Sequence, residues 1–185
     1  NVASNPFTEL IMKGNTNCAR RQNAQVSCWG LHGFDDPLNL PLENNHTVYA
    51  FGESHHCSLR PNGAPACKGD NQYGQSAPPG GFFEKLFARR GQSCGIRIGG
   101  ILECWGRNDD LQSSPPPNLN YLDVGLAARH ACGITTNTGQ NQSTFTSGEV
   151  TCWGYNGDGR GDLPASMANR SDFVDVDCAT DHCCA

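Results

Sequence analysis

The sequence lacks long hydrophobic runs, and it has few residues in patterns that build helices. No stretch approaches the ~20 apolar residues that a membrane span requires, so we expect no membrane span in residues 1–185. Hydrophobic residues make up 37% of the chain, which is little for one thick core. The 22 glycines and 11 prolines indicate many turns. Together these features favour an all-β chain.

The sequence also lacks the patterns of catalytic and nucleic-acid-binding proteins. No nucleophile stands at motif spacing from a base, so we predict no catalytic residue, no enzyme activity and no cofactor. The net charge of −5 gives no general electrostatic reason to bind nucleic acid. The basic pairs Arg20-Arg21 and Arg89-Arg90 are too few to change that expectation.

Cysteine, in contrast, is abundant. Eleven cysteines without the CxxC spacing of zinc sites indicate an oxidising compartment. Three Asn-x-Ser/Thr sequons, at Asn45, Asn141 and Asn169, predict glycosylation. We therefore expect a secreted or extracellular glycoprotein. The chain begins at Asn1 without a recognisable signal peptide, so we expect it to be a processed or partial chain.

One stretch, residues 91–106, predicts a stapled hairpin. Cys94 and Cys104 lie ten residues apart around Gly99-Gly100, with Ile96 and Ile98 before the glycines and Ile101 and Leu102 after them. Apolar segments flanking a glycine pair predict two short strands and a tight turn. In a hairpin centred on Gly99 the two cysteines face each other, so we predict a cross-strand disulfide.

The same pattern recurs along the chain, and it predicts three further hairpin disulfides. The pairs are Cys18–Cys28, Cys57–Cys67 and Cys132–Cys152, of which the last has ten extra residues at its tip. Three of the four hairpins end in Cys-Trp-Gly, at Trp29, Trp105 and Trp153. Because successive strand residues point to opposite faces, we expect each tryptophan to point away from the neighbouring disulfide and to pack between repeats.

The period of about 40 residues predicts a β-propeller with one blade per repeat. A small sheet cannot bury its own faces, so each blade stacks on its neighbours. An upstream apolar strand precedes each hairpin; in the third repeat this is Leu86–Ala88, where a helical turn is the alternative. We expect one repeat domain, 1–185, with approximate repeats 1–46, 47–82, 83–121, 122–172 and a partial 173–185.

The last repeat holds the three remaining cysteines. Aligning His182 with His130 places Cys184 level with Cys132, without the Cys-Trp-Gly half of its hairpin. Cys178 and Cys183 are close enough in sequence for a local disulfide, which leaves Cys184 for a partner outside the sequence or on another chain. A zinc site formed by Cys178, His182 and Cys183 is the alternative that we disfavour, and we predict no metal site.

The fourth repeat resembles the repeat of the regulator of chromosome condensation family. The residues that carry this resemblance are Ala127–Ile134, Ala-Ala-Arg-His-Ala-Cys-Gly-Ile, and Cys152–Asn156, Cys-Trp-Gly-Tyr-Asn. With its disulfides, the motif is similar to the extracellular repeats of plant crinkly-type receptor kinases. The resemblance implies a β-propeller, which usually has seven blades in the wider superfamily.

Three local features carry alternatives. Arg160-Gly161-Asp162 is an Arg-Gly-Asp tripeptide on a predicted turn, which an adhesion receptor of the integrin type could read. The acidic loops at Asp35-Asp36, Asp109-Asp110 and Asp158 could bind calcium, but the segment 156–160 breaks the EF-hand pattern and solvated turns fit better. The polar tip from Thr135 to Gly148 predicts a protruding loop with a glycan on Asn141.

These observations predict a non-enzymatic extracellular module. Its propeller surface would bind other extracellular proteins or further copies of the chain, as a receptor-like ectodomain or as part of an extracellular assembly; the binding residues themselves are not predicted. A carbohydrate-binding module is the second hypothesis, because exposed tryptophans and Asn/Asp turns suit glycans. A chromatin-associated propeller is the third, and disulfides and glycans argue against it.

Overall fold

The computed structural model describes residues 6–13, 16–22, 26–30, 46–137 and 148–185 of the protein. Within the strands, the side chains of residues 9, 11–13, 16–18, 26–30 and 137 lie outside that description. All regular structure in the described ranges is β, which confirms the predicted fold class. The same ranges contain no helix long and apolar enough to cross a membrane.

In the described ranges the strands form five antiparallel sheets in chain order. The first four sheets have three strands each, and the fifth has two. The strands are β1 (Phe7–Lys13), β2 (Thr16–Arg21), β3 (Val26–Gly30); β4 (Val48–Phe51), β5 (His55–Leu59), β6 (Pro65–Gly69); β7 (Lys85–Arg89), β8 (Gln92–Ile96), β9 (Leu102–Gly106); β10 (Leu119–Leu126), β11 (His130–Asn137), β12 (Glu149–Gly154); β13 (Asp177–Cys178) and β14 (Cys183–Cys184). We call these sheets blades 1 to 5.

The cysteine pairs lie opposite each other in the ladders between the second and third strands. The structure contains the bonds Cys57–Cys67, Cys94–Cys104 and Cys132–Cys152, with Cα–Cα distances of 4.0–4.1 Å. Cys18 and Cys28 are paired in the register of β2 and β3, but their side chains lie outside the described ones. Leu86–Ala88 lies within the strand β7, as predicted, and not in a helical turn.

The hairpin tip of blade 3 differs from the prediction. Ile98 and Ile101 were expected in the strands, yet β8 ends at Ile96 and β9 begins at Leu102. Gly99 and Gly100 both have positive φ, 89° and 81°, so the turn takes five residues and leaves both isoleucines in it. Their side chains are 72% and 60% exposed.

The glycine that ends the third strand fixes the next turn. Gly106 and Gly154 have φ of 99° and 97°, a region that favours glycine. A Cβ on Gly106 would lie 2.4 Å from the carbonyl oxygen of Gly91, so no larger residue fits. Arg107, the next residue, donates its backbone N–H to that same carbonyl at 2.7 Å. The Cys-Trp-Gly motif therefore holds the end of the third strand against the turn between the first two.

The hydrophobic core lies between blades, as stacking requires. Among the described residues it consists of three clusters, one for each successive pair of blades from 2 to 5. Cys57, Cys94 and Cys132 are among the most buried residues, with at most 1% exposed, and each contributes to the cluster shared with the following blade. The first strands β4, β7 and β10 line an inner cavity of about 80 Å³.

Blade 5 begins in register with the others. Cys178 pairs with Cys183 across β13 and β14, as Leu126 pairs with Ala131 in blade 4. These two cysteines form a disulfide in the structure. Cys184 stands at the position of Cys132, and it is free and exposed.

Candidate interaction surface

The tryptophans of the Cys-Trp-Gly strands anchor each blade to the one before it. Trp105 of blade 3 donates its indole N–H to the backbone oxygen of Gln75 at 2.9 Å, in the turn after blade 2. Trp153 of blade 4 donates to the equivalent oxygen of Gln112 at 2.8 Å. Both rings pack between blades and away from their own disulfides, as predicted. The side chain of Trp29 lies outside the described residues.

Side-chain hydrogen bonds to backbone N–H groups hold the turn that supplies this oxygen. The side-chain oxygen of Gln75 accepts the backbone N–H of Tyr73 at 2.8 Å, and Gln112 does the same for Asp110. An asparagine four residues earlier accepts a second backbone N–H, for example Asn71 from Ser76 at 2.9 Å. These side chains accept hydrogen bonds from the backbone N–H groups of the turn. The backbone carbonyl of the glutamine therefore stays available to the indole N–H.

Ion pairs between turns cross every boundary from blade 2 to blade 5 in the described part of the chain. Arg90 lies 3.2 Å from Glu53 between blades 2 and 3. Arg129 binds Asp110 at 2.7 Å between blades 3 and 4. The hydrogen bond from Arg129 holds the pKa of Asp110 below its usual value.

At the last boundary Arg160 of the blade-4 turn pairs with Asp181 of blade 5, and it also binds Asp158 at 2.6 Å. Hydrogen bonding from Arg160 holds the pKa of Asp158 below its usual value. The Arg-Gly-Asp tripeptide therefore has its arginine engaged on two sides, and that side chain is only 23% exposed. Asp162 accepts a hydrogen bond from Asn156 at 2.8 Å. This arrangement gives no support to adhesion through the tripeptide.

Two tyrosines lie beside the arginines of these turns. The guanidinium of Arg107 lies 5.6 Å from the ring centre of Tyr73, and that of Arg129 lies 3.8 Å from the ring centre of Tyr155. Cation–π contacts of this kind hold long arginine side chains in place. We call this surface the turn face; it comprises Glu53, Tyr73, Arg90, Arg107, Asp109, Asp110, Arg129, Tyr155, Asp158, Arg160 and Asp181.

Comparison with known proteins identifies the fold. No family model and no curated protein matches the chain. Solved structures do match. The entire ectodomain of the receptor kinase CR4 from Physcomitrella patens superposes with a TM-score of 0.69 at 24% identity, over 96% of this chain and 46% of that one. The CRINKLY WD40 ectodomain of the Arabidopsis thaliana receptor kinase ACR4 gives 0.62 at 23% identity, over 94% and 56%.

A third match is Prp20p of Saccharomyces cerevisiae, with a TM-score of 0.69 at 13% identity, over 94% of this chain and 54% of that one. The chain thus spans about half the length of these structures. The fold is a propeller-type repeat array of four three-stranded blades and the start of a fifth, and hairpin disulfides link the strands of blades 2, 3 and 4 in the described residues. The resemblance inferred from the Cys-Trp-Gly repeats is confirmed at the level of the fold.

The histidines at equivalent repeat positions are buried packing residues, as expected. His55 and His130 are both 0% exposed. Each reaches the next blade through Nε2: His55 to the hydroxyl of Ser93 at 2.7 Å, and His130 to the sulfur of Cys183 at 3.5 Å. Burial lowers the pKa of His55 to about 4 and also lowers that of His130, so both rings are neutral at pH 7.

Three sulfurs come close enough to suggest a metal site. Those of Cys132, Cys178 and Cys183 lie within 4.8 Å of one another. All three are held in disulfides, Cys132 with Cys152 and the other two together. A metal needs thiolates, so this cluster is two packed disulfides instead of a ligand set.

The glycosylation sites are only partly described. Asn169 is exposed in the turn after blade 4, and its positive φ of 62° suits asparagine. Asn45, Asn141 and the tip from 138 to 147 lie outside the described residues. Glycosylation at all three sequons stays a prediction.

Gln75 and Gln112 were not among the residues predicted to anchor the tryptophans. Both lie eight residues after the second cysteine of a hairpin, and Arg160 occupies the same position in blade 4. That fixed offset is the signal that could have revealed them. The side chain satisfies its own turn, however, and only the three-dimensional stacking shows that the backbone oxygen receives the indole.

Proposed function

We propose that the chain is a non-enzymatic extracellular module that binds another protein through the turn face. The single observation that carries this proposal is the arrangement of arginines and tyrosines on successive turns, where ion pairs or cation–π contacts hold each side chain. Arginine and tyrosine are enriched at the energetic centres of protein interfaces. Side chains that are already ordered lose less entropy when a partner binds.

The extracellular context is supported by the disulfides. Four bonds in the described residues would not persist in a reducing cytosol. Two of the matching solved structures are ectodomains of receptor kinases, which is the same context. The module would be a glycoprotein, with Asn169 as the exposed sequon of the described part.

The alternatives find less support. A carbohydrate site was argued from exposed tryptophans, yet Trp153 is 9% exposed and Trp105 is half-buried, with both indole N–H groups bonded to backbone oxygens. A nucleic-acid surface needs free cations, whereas Arg107, Arg129 and Arg160 are all paired with aspartates.

The test is site-specific photo-crosslinking with the secreted, disulfide-intact chain. A benzophenone amino acid replaces Tyr73 on the turn face, and the chain is presented to the extracellular proteins of its source. We expect one discrete crosslinked protein, and unlabelled chain in excess should abolish its capture.

The matched control places the same crosslinker at Asn62, which is exposed at the hairpin tip of blade 2. Charge reversal by Arg107→Glu and Arg129→Glu should reduce capture at position 73. Equal capture from positions 62 and 73, or capture unaffected by the reversals, would show that the turn face is not the binding surface.

A further inference from the structure

The turns that follow the third strands of blades 2, 3 and 4 share one backbone course. In each turn the fourth residue donates its N–H to the backbone oxygen of the asparagine three positions earlier. The distances are 3.1 Å for Gly74, 3.2 Å for Leu111 and 3.3 Å for Gly159. All three residues have positive φ, at 84°, 63° and 77°. Among these three turns, only that of blade 3 carries a bulky residue at the fourth position.

Leucine is an unusual residue for this backbone conformation. At positive φ a Cβ atom crowds the neighbouring carbonyl oxygen, so the left-handed region favours glycine. The equivalent turns have glycine there, whereas Leu111 adopts the same conformation with strain. Strain of this kind persists where another interaction compensates for it, and it is common at binding sites.

Packing within the described part of the chain does not compensate for the strain. The side chain of Leu111 is 64% exposed and belongs to none of the three apolar clusters found among the described residues. The equivalent position in blade 2 is open as well, since a Cβ on Gly74 would meet no heavy atom within 4 Å beyond its chain neighbours. A side chain at the fourth position therefore points away from the turn, and Leu111 presents its apolar atoms to solvent.

Leu111 lies in the middle of the turn face. Its turn is the central one of the three, and the two residues before it form ion pairs of that face. Asp109 lies 2.7 Å from Arg107, and Asp110 lies 2.7 Å from Arg129. An apolar side chain beside ordered polar groups is the usual arrangement at the centre of a protein interface, where a partner excludes water from the apolar part and the rim stays polar.

The charges of the turn face indicate which kind of partner fits. Each of its arginines is paired with a carboxylate, so the face offers no excess of charge of one sign to an acidic or basic polymer. A lipid surface fits poorly, because even a single myristoyl chain binds membranes only marginally and one leucine has far fewer methylene groups. The chemistry is that of a protein with an apolar pocket.

We propose that Leu111 forms the apolar centre of the turn face and inserts into an apolar pocket of the partner protein. This inference rests on the proposed binding function of the turn face, and it adds the central contact residue and the chemistry of the partner's pocket. The turn fixes the direction of the leucine before the partner arrives, so less entropy is lost on binding.

The experiment uses the benzophenone crosslinker at position 73 and compares chains that differ at position 111. Leu111→Gly and Leu111→Asn remove the apolar side chain, and both new residues adopt positive φ more readily than leucine. We expect each variant to need a chain concentration higher by about tenfold or more for half-maximal capture, since burial of a leucine side chain is favourable by that margin.

The matched control is Ile98→Asn, which removes another exposed apolar side chain. Ile98 lies at the hairpin tip of blade 3, outside the turn face. This variant should capture the partner at the same chain concentration as the wild type. A loss equal to that of the Leu111 variants would overturn the proposal.

A second measurement locates the pocket on the partner. Photo-leucine, a diazirine analogue with nearly the shape of leucine, replaces Leu111. We expect it to crosslink the same protein as the crosslinker at position 73, and mass spectrometry of the linked peptide should identify apolar residues. Photo-leucine at position 98 should not label that protein.

Thermal unfolding separates a binding residue from a structural one. Leu111→Gly should melt at the same temperature as the wild type or above it, because glycine relieves the strained backbone. A lower melting temperature for both Leu111→Gly and Leu111→Asn would show that the leucine stabilises the chain's own fold, and the proposal would be wrong.

The outcomes separate this proposal from the binding function of the turn face. If position 73 captures a protein equally well with and without Leu111, the apolar centre is wrong and the binding function stands. If position 73 captures no protein, both are wrong. Binding to phosphatidylcholine vesicles that depends on Leu111, or a dimer of the chain that depends on it in analytical ultracentrifugation, would assign the leucine to a membrane or to a second copy and would overturn the proposal.

Discussion

The boundary between blades 3 and 4 and the boundary between blades 4 and 5 are built from the same repeat, but among the described residues only the first contains an indole. At the first, Trp153 fills the space beside the Cys94–Cys104 disulfide and bonds to Gln112. At the second, the equivalent disulfide borders a cavity of about 100 Å³. The difference separates two roles of Cys-Trp-Gly. The cysteine links two strands of its own blade, and the tryptophan packs against the disulfide of the blade before it.

The largest expected effect on stability comes from removing the indole from the boundary between blades 3 and 4. Trp153→Ala should lower the free energy of unfolding by about 3–5 kcal/mol, because a buried aromatic ring is replaced by a cavity. Urea denaturation with the disulfides intact measures the change.

The control for this variant is Tyr73→Ala, which removes an aromatic ring that is 45% exposed. It should cost far less. Equal losses of unfolding free energy for the two variants would mean that Trp153 does not stabilise the boundary between blades 3 and 4.

Removing disulfides compares how much they stabilise blade 3 and blade 5. In the chain-entropy model, loops of 10 and 20 residues contribute about 2.7 and 3.3 kcal/mol, and a loop of 5 residues contributes about 2 kcal/mol. The double variant Cys94→Ala/Cys104→Ala should therefore destabilise the chain more than Cys178→Ala/Cys183→Ala. Urea midpoints of the two variants provide the measurement, and the reverse order would contradict the model.

Acid should weaken the boundaries that contain buried histidine. Burial lowers the pKa of His55 and of His56 to about 4, whereas the unfolded values are near 6.5. Between pH 6.5 and 4 the unfolded chain binds more protons, so stability is full above pH 6.5 and falls as the pH drops, by at most about 1.4 kcal/mol per pH unit for each ring. Thermal melts across this range measure the slope.

The repeat itself supplies the control substitution. Gln92 occupies in blade 3 the position of His55 in blade 2, and it bonds the backbone oxygen of Gln112 without a titratable group. His55→Gln should therefore reduce the acid dependence. An unchanged pH profile would show that His55 does not carry it.

The smallest effect is expected from the ion pairs of the turn face. Asp110→Asn removes the partner of Arg129, whose side chain is 44% exposed, so solvent and salt screen the attraction. The melting temperature should drop slightly at low ionic strength and match the wild type in high salt. A large loss that salt does not diminish would mean that the pair has a structural role that exposure hides.

The sequence predicted what depends on local spacing. Hairpin centring on Gly99 placed Cys94 opposite Cys104, and strand alternation placed Trp105 on the other face. It failed at Ile98 and Ile101, since apolar residues beside a glycine pair look like strand residues although two consecutive positive φ angles widen the turn.

The turn face could not be predicted, because its contacts depend on how blades stack. Arg129 and Asp110 lie 19 residues apart, and Arg160 and Asp181 lie 21 apart, with no periodicity that links them. The stacking of the blades decides which turns meet, and no local pattern in the sequence encodes that contact. Predicting the cavity beside the Cys132–Cys152 disulfide likewise requires knowing which face of that disulfide blade 5 covers.

The separation of the core into layers between blades has a consequence for how the amides of the chain exchange with solvent. When each unit is stabilised only by its neighbours, opening proceeds from the least covered end. The amide of Cys94, in a middle strand covered by blades on both sides, should exchange its hydrogen slowly. That of Cys183, in a two-residue strand beside a cavity, should exchange quickly. The chain should open one blade at a time.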